Sequence, residues 1–94
     1  MDGIAKQKVP GGKLLIVKVR YTERIEDVKM LGDFFIYPES AVIDIEAAIR
    51  GMGANSSEES IVVAVEAAVD KAGAEMIGIT PIAIAQTLRA AMIR

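Results

Sequence analysis

Two adjacent stretches of sequence decide the fold: LLIVKVRY at residues 14–21 and IEDVKMLGDFFI at residues 25–36. In the first stretch apolar side chains alternate with charged ones, which places one set in a core and the other in water. The apolar set consists of Leu15, Val17, Val19 and Tyr21. The second stretch is also extended in character, and only a short polar segment, residues 22–24, separates the two. The pattern therefore predicts a β-hairpin with its turn at residues 23–24.

This turn fixes the register of the hairpin. Val17 is expected to lie opposite Met30, so that two apolar side chains share the core face. Arg20 is expected to lie opposite Asp27, which predicts an ion pair on the other face.

The same register puts an unusual set of side chains on the face opposite the core. That face should be polar, but one end of it is apolar. The apolar set consists of Leu14, Ile16, Leu31 and Phe35. Two interpretations are equally open: the N-terminal tail covers this patch, or the patch docks another chain.

Two helical patterns follow the hairpin. Residues 38–51 repeat apolar side chains at intervals of three and four, and Gly51 is expected at the end of this helix. A second helix is expected over residues 56–72, opened by a capping box of Ser56 and Glu59. Because apolar residues cover most of its circumference, this helix is expected to be central in the core.

A third helix is expected to start at Thr80 and Pro81 and to run to the end of the chain, after a connector at residues 76–79. The sequence thus predicts an α+β fold, an antiparallel hairpin-based sheet packed against about three α-helices. One domain is expected over residues 1–94, with residues 1–7 as a flexible tail.

The composition restricts the chemistry. The chain has 94 residues and contains no Cys, His or Trp. It therefore has no thiolate nucleophile, no Ser-His-Asp relay and no zinc or iron–sulfur ligands of the nitrogen or sulfur type. Paired carboxylates at residues 26–27, 44 and 46, and 58–59 have simpler uses at a hairpin, on a solvated helix face and in a helix first turn. None of them is expected to be a catalytic dyad or a metal site.

The net charge is −2, but residues 1–29 hold seven basic and four acidic side chains while residues 30–94 hold four and nine. The basic N-terminal segment favours either an anionic ligand or acidic partner, or simply solvated lysines. Nucleic acid is not expected, because no aromatic side chains interleave with the basic ones. The sequence shows no membrane span and no signal peptide, so a cytoplasmic location is expected.

Two segments are candidates for function. The first is the loop Lys8-Val9-Pro10-Gly11-Gly12-Lys13, whose glycines, N–H groups and lysines can meet a phosphate. It lacks Walker A spacing and leads into a strand, and a plain turn is the alternative. The second is Gly32-Asp33-Phe34-Phe35-Ile36-Tyr37-Pro38, which holds three of the four aromatic residues.

Together these two segments resemble the C-terminal accessory domain of lipoate-protein ligases, over about residues 8–94. The resemblance implies a fold similar to the SufE/NifU-like fold of sulfur-transfer and iron–sulfur scaffold proteins. Those relatives work with cysteine, which this chain lacks, so neither of their roles is expected here.

The resemblance also implies a partner and a reaction. In fused ligases the accessory domain follows a catalytic domain that uses ATP, Mg and lipoate to form lipoyl-AMP and then lipoylates a lysine of an acceptor domain. This chain begins at Met1 and is expected to be the separately encoded, non-catalytic subunit of a split ligase, in a heterodimer with the catalytic subunit. No cofactor is expected to bind to this chain alone.

The candidate site residues follow from this resemblance and from the hairpin pattern. The loop expected to face substrate or partner consists of Lys8, Pro10, Gly11, Gly12 and Lys13. The expected partner interface consists of Leu14, Ile16, Leu31, Asp33, Phe35 and Tyr37. In one hypothesis these segments close over the partner's nucleotide site, with Lys13 nearest the phosphates. In the other, the apolar patch only stabilises the partner's active conformation.

Two further functions stay open at this stage. The chain is alternatively a free-standing binding module that recognises an acidic protein or an anion through its basic N-terminal segment. An autonomous enzyme that uses Asp33 and Lys13 is the least favoured function, because one edge of a small domain offers little enclosure.

Overall fold

The computed structural model describes residues 1–9, 11 and 13–92. Within this part of the chain there are five strands and three helices: β1 Asp2–Val9, β2 Lys13–Tyr21, β3 Ile25–Gly32, β4 Phe35–Tyr37, α1 Ala41–Ile49, α2 Glu58–Ala72, β5 Glu75–Ile77 and α3 Pro81–Ala91. β1, β2 and β3 form an antiparallel sheet in that order, and β4 pairs with β5 in a small second sheet. The predicted α+β class is confirmed.

The predicted hairpin is present, and its register is the predicted one as far as Arg20; an irregularity between Arg20 and Tyr21 then places Tyr21 opposite Ile25, so the connection is residues 22–24 instead of a turn at 23–24. Val17 lies opposite Met30, and Arg20 lies opposite Asp27. The inward side chains of β2, at positions 15, 17, 19 and 21, are all buried. The period of two in the sequence therefore predicted which residues form the sheet side of the core.

The first seven residues, expected to be a flexible tail, form most of β1. This strand pairs with β2 along its whole length, from Asp2 opposite Arg20 to Val9 opposite Lys13. Its inward-facing positions before Val9 are 3, 5 and 7, occupied by glycine, alanine and glutamine. The tail prediction is wrong because these small or polar residues conceal the alternation that marks a strand.

The expected ion pair between Arg20 and Asp27 does not form. The Arg20 guanidinium instead lies 3.4 Å from the carboxylate of Asp2 on β1, and Asp27 lies 3.5 Å from Arg50. All four side chains are largely exposed, so each pair contributes at most about 1 kcal/mol. The prediction failed because it did not include the third strand.

The second extended run is two strands rather than one. β3 ends at Gly32, whose φ is 147°, and a Cβ there would lie 2.0 Å from the Leu14 carbonyl oxygen. The chain then turns away and forms β4, whose partner β5 falls in the segment expected to be a connector. Only glycine allows the backbone to approach Leu14 this closely.

The helix boundaries differ slightly from the predicted ones. α1 begins at Ala41, after a turn in which the Ala41 N–H donates to the Pro38 carbonyl oxygen, instead of at Pro38. The cap of α2 is Ser57, whose hydroxyl accepts the Ser60 N–H at 3.1 Å, so the capping box starting at Ser56 is wrong. The predicted Thr80 cap of α3 is confirmed.

The central helix is α3, not α2. α3 packs against β1, β2 and α2, and six of its eleven residues are buried. α2 buries only Ile61 and Val65, and its Val63 is 59% exposed. The apolar residues of α2 are largely alanine and valine and lie all round the helix. This composition does not place a helix at the centre of the core, and α2 packs mainly against α1 and α3.

The first strand and the last helix are joined tightly. A Cβ on Gly3 would lie 1.7 Å from the Ala91 carbonyl oxygen, so the two backbones are nearly in contact. Further along, the fully buried Thr87 hydroxyl donates to the Ala83 carbonyl oxygen at 2.7 Å and lies 2.7 Å from Oε1 of Gln7. α3 therefore fixes β1 as the third strand of the sheet.

None of the helices in the described part of the chain has the length and hydropathy needed to cross a membrane.

Candidate functional site

The Gly32-Asp33 pair closes the end of the hairpin. The Asp33 N–H donates to the Leu14 carbonyl oxygen at 3.2 Å, and the Asp33 carboxylate accepts the Leu14 N–H at 2.5 Å. Both backbone groups of Leu14 at the start of β2 are thereby satisfied by one residue. This geometry assigns Asp33 a structural task at the exposed end of the sheet.

Lys13 and Lys8, expected to act from one loop, lie on opposite sides of the sheet. Lys8 is opposite the outward-facing Leu14, whereas Lys13 has the parity of the buried Leu15. The stem of Lys13 packs over Gly78, where a Cβ would lie 2.5 Å from Cγ of the lysine. Lys13 therefore belongs to the side of the molecule where the chain enters α3.

The rest of that loop is only partly described. Gly11 is exposed, with a φ of 101° and open space where a Cβ would stand. Pro10 and Gly12 lie outside the described residues.

An apolar group of three residues lies at one end of the outer sheet face. Leu14 and Leu31 are 38% and 39% exposed, and Ile16, directly opposite Leu31, is partly buried. β1 lies beside β2 in the plane of the sheet, so the N-terminal segment does not fold over these side chains. Of the two interpretations open from the sequence, cover by the tail is excluded.

Phe35 is not part of that group. It lies on β4 in the second sheet, where its ring stacks on that of Tyr37 with centroids 6.2 Å apart and planes within 5°. Phe35 is 53% exposed, Tyr37 is 52% exposed, and Ile77 on β5, opposite Phe35, is 43% exposed. We call Phe35, Tyr37 and Ile77 the aromatic patch.

The structure thus separates the residues expected at an interface into two groups, and it places exposed Ile77 beside Phe35 in the second group. Ile77 was missed because strands of three residues carry too little periodicity to be recognised. The alternation of exposed Phe35 and Tyr37 around buried Ile36 is the signal that marks its partner strand.

The outer sheet face is also strongly basic. Lys6, Lys8, Lys18 and Lys29 are all exposed on it, and Lys18 lies directly opposite Lys29. None of these four lysines has an ion-pair partner within residues 1–9, 11 and 13–92. Within the same described residues, no group of three acidic side chains lies close enough together to hold a metal ion.

Comparison with known proteins gives one informative match. No protein-family model matches the chain, and no curated protein matches it. The chain is similar to a chain in the solved structure of a bipartite lipoate protein ligase and its E2 lipoyl domain from Thermoplasma acidophilum. The two are 27% identical, with a TM-score of 0.77 over 95% of this chain and 96% of that one.

This likeness confirms the resemblance indicated by the two loop segments. It extends over nearly the whole length of both chains, and the TM-score of 0.77 indicates a shared overall fold. The chain is therefore related to a component of a two-part lipoate ligase system.

Proposed function

We propose that this chain is the accessory subunit of an ATP-dependent lipoate-protein ligase and works with a separate catalytic subunit in the cytoplasm. The pair activates lipoate to lipoyl-AMP and transfers the lipoyl group to a lysine of an acceptor domain. The observation that carries this proposal is the similarity, at 95% coverage, to a chain of a bipartite ligase system.

A non-catalytic role agrees with the side chains available. The chain has no histidine or cysteine, and its one candidate carboxylate, Asp33, is engaged with the Leu14 N–H. Adenylate formation needs a site that encloses ATP, Mg and lipoate. We assign that site to the catalytic subunit and give this chain the task of ordering it.

The aromatic patch is the surface we assign to the catalytic subunit, together with the apolar group of Leu14, Ile16 and Leu31. Half-exposed stacked rings beside an exposed isoleucine are costly to leave in water and are typical anchors of a protein interface. Lys13 lies on the opposite side of the sheet from Leu14 and packs along Gly78, next to Ile77 of the aromatic patch, and we place its ammonium group near the phosphates bound by the partner.

The decisive experiment measures lipoyl-AMP formation, as pyrophosphate release from ATP and lipoate. The catalytic subunit is assayed alone and with this chain in equal amount. We expect adenylation at full rate only in the mixture, because the accessory subunit orders the loops of the catalytic site. Equal rates in both samples would contradict the proposal and favour the free-standing binding module.

Mass spectrometry of the same mixture tests whether this chain is instead the acceptor of the lipoyl group. The related structure contains a ligase and a lipoyl domain, so an acceptor role for this chain has to be distinguished from an accessory one. Under our proposal this chain keeps its unmodified mass while an added apo lipoyl domain gains a lipoyl group. A lipoyl group on this chain instead would overturn the accessory assignment.

A further inference from the structure

Within the described residues, the lysines on the outer face of the sheet make no contact that stabilises the fold. We call Ile4, Lys6, Lys8, Lys18 and Lys29 the basic face. Its side chains all point away from the core, on the opposite side of the sheet from α3. A depression of about 450 Å³ on this face is lined in part by Ile4, Lys18 and Lys29.

Lys18 and Lys29 are the most informative pair. They lie directly opposite each other on neighbouring strands, an arrangement of like charges that destabilises a sheet. The carboxylates nearest in register, Asp2 and Asp27, are already paired with arginines and do not neutralise the lysines. Lys18 and Lys29 repel each other, and neither has an ion-pair partner among the described residues. This indicates that their positive charge serves a contact with another molecule.

The shape of the face favours a protein over a small anion. The lysines are distributed over three adjacent strands and alternate with Ile4 and Ile16, instead of converging on one point. A phosphate or nucleotide needs several donors directed at one position, whereas a protein surface matches dispersed charges with apolar contacts between them. The described part of the face holds no aromatic side chain on which a nucleic-acid base could stack.

We propose that the basic face docks an acidic surface of the acceptor domain during lipoyl transfer. This inference rests on the proposed ligase function and assigns a second surface within it. Lys18 is four residues from Leu14 along β2, about 13 Å at the rise of a strand. The acceptor would thus bind mainly at Lys18 and Lys29, beside the end of the sheet that we assign to the catalytic subunit, and Lys6 and Lys8 lie where the two surfaces meet, opposite Ile16 and Leu14.

The area of the face predicts a weak, transient contact. The whole outer face of the three strands, with the end that carries Leu14, Ile16 and Leu31 included, is a rectangle of about 27 by 14 Å, so the basic face offers at most roughly 400 Å². This is about half of the surface that each partner buries in a stable complex of standard size. A brief encounter suits an acceptor that must leave after modification, and electrostatic steering mainly raises its rate of association.

The test uses the assembled ligase and measures its two steps separately. The variant carries Lys18→Gln and Lys29→Gln, and the charge-matched control carries Lys71→Gln and Arg89→Gln on exposed helix positions. Pyrophosphate release reports lipoyl-AMP formation. Transfer to increasing concentrations of an apo lipoyl domain reports the KM for the acceptor.

We expect the sheet variant to form lipoyl-AMP at the wild-type rate and to raise the KM for the lipoyl domain roughly five- to tenfold. The control should change neither step. The wild-type KM should also rise with salt more steeply than that of the variant, because screening weakens the same charges. Lys18→Arg with Lys29→Arg should restore the wild-type KM.

Two results would overturn the docking inference. One is an unchanged KM for the lipoyl domain with adenylation intact, which leaves the accessory function standing. The other is an altered KM for ATP, which would assign the face to a small anion. Failure of the accessory function has a different signature, since the catalytic subunit would then form lipoyl-AMP equally well without this chain.

Discussion

Under the proposed function, removing the Phe35 ring should weaken the binding of this chain to the catalytic subunit. Phe35 is 53% exposed, so docking can bury about 100 Å² of it if the whole residue offers about 200 Å². At about 25 cal/mol per Å², that burial is worth about 2.5 kcal/mol, or roughly a 60-fold change in Kd. Phe35→Ala should therefore weaken association by about this factor.

Phe35→Asp should have a larger effect, because it also places a charge against an apolar partner surface. A further cost of about 2 kcal/mol for the poorly hydrated carboxylate gives a total loss of more than 1000-fold. Isothermal titration of the catalytic subunit with each variant measures both numbers. At concentrations near the wild-type Kd, Phe35→Asp should no longer co-purify.

Val63→Asp is the matched control. Val63 is 59% exposed on α2 and is not part of the sheet that carries the aromatic patch, so a charge there should leave Kd unchanged. Equal affinity of wild type and Phe35→Ala would refute the assignment of the aromatic patch. Equal weakening by the Phe35 and Val63 variants would refute it too, because the effect would then not depend on position.

Substitutions at three more positions test other parts of the structure. Gly3→Ala should lower the free energy of unfolding by about 3 kcal/mol, measured by urea denaturation, since its Cβ would collide with the Ala91 carbonyl; unchanged stability would mean that α3 does not pass this close to β1. Asp33→Ala should lower the free energy of unfolding by about 1–2 kcal/mol, because the hydrogen bond from the Leu14 N–H is lost. Asp33→Asn should keep most of this stability, because its amide oxygen still accepts that hydrogen bond. Equal destabilisation by both variants would show that the charge of Asp33 matters more than the hydrogen bond. Lys13→Ala should slow lipoyl-AMP formation by about tenfold without changing affinity for the catalytic subunit; a normal adenylation rate would remove Lys13 from the phosphate site.

The hairpin could be predicted from the sequence because its signal is local. Alternation at every second residue specifies which face is buried, and a short polar turn then leaves one register that joins apolar to apolar. The pairing of Val17 with Met30 followed from these two facts alone.

The elements that sequence reasoning missed depend on partners distant in the chain. β4 and β5 are three residues each and pair across some forty residues, so neither carries a recognisable period. β1 presents glycine, alanine and glutamine to the core, and its position is set by contacts with α3 at the other end of the chain. Glu46, expected on a solvated helix face, accepts the Met30 N–H at 2.9 Å and thereby covers an edge of the sheet.

The role of the expected site residues stays a prediction, but their arrangement differs from the expected one. Phe35 and Tyr37 are exposed as an interface would require, but they lie in a separate sheet from Leu14 and Leu31. On one continuous strand, every second residue faces the same side, which is why Phe35 was expected beside Leu31. The chain instead turns at Gly32, so Phe35 belongs to another strand. The pairing of Lys18 with Lys29 follows from the hairpin register, but the basic face around this pair also needs Lys6 and Lys8 on β1, which was not expected to be a strand.

The contact of α3 with β1 also bears on how the protein is made. β1, β2 and β3 are contiguous in sequence and can pair as soon as they leave the ribosome. α1 can cover β3 soon afterwards, but the apolar inner face of β1 and β2 stays open until α3 is synthesised, about fifty residues after β3 ends. During this interval the nascent sheet exposes Leu15, Val17 and Val19 to other chains, which makes it vulnerable to aggregation. Prompt completion of translation should therefore favour folding of this chain over its aggregation.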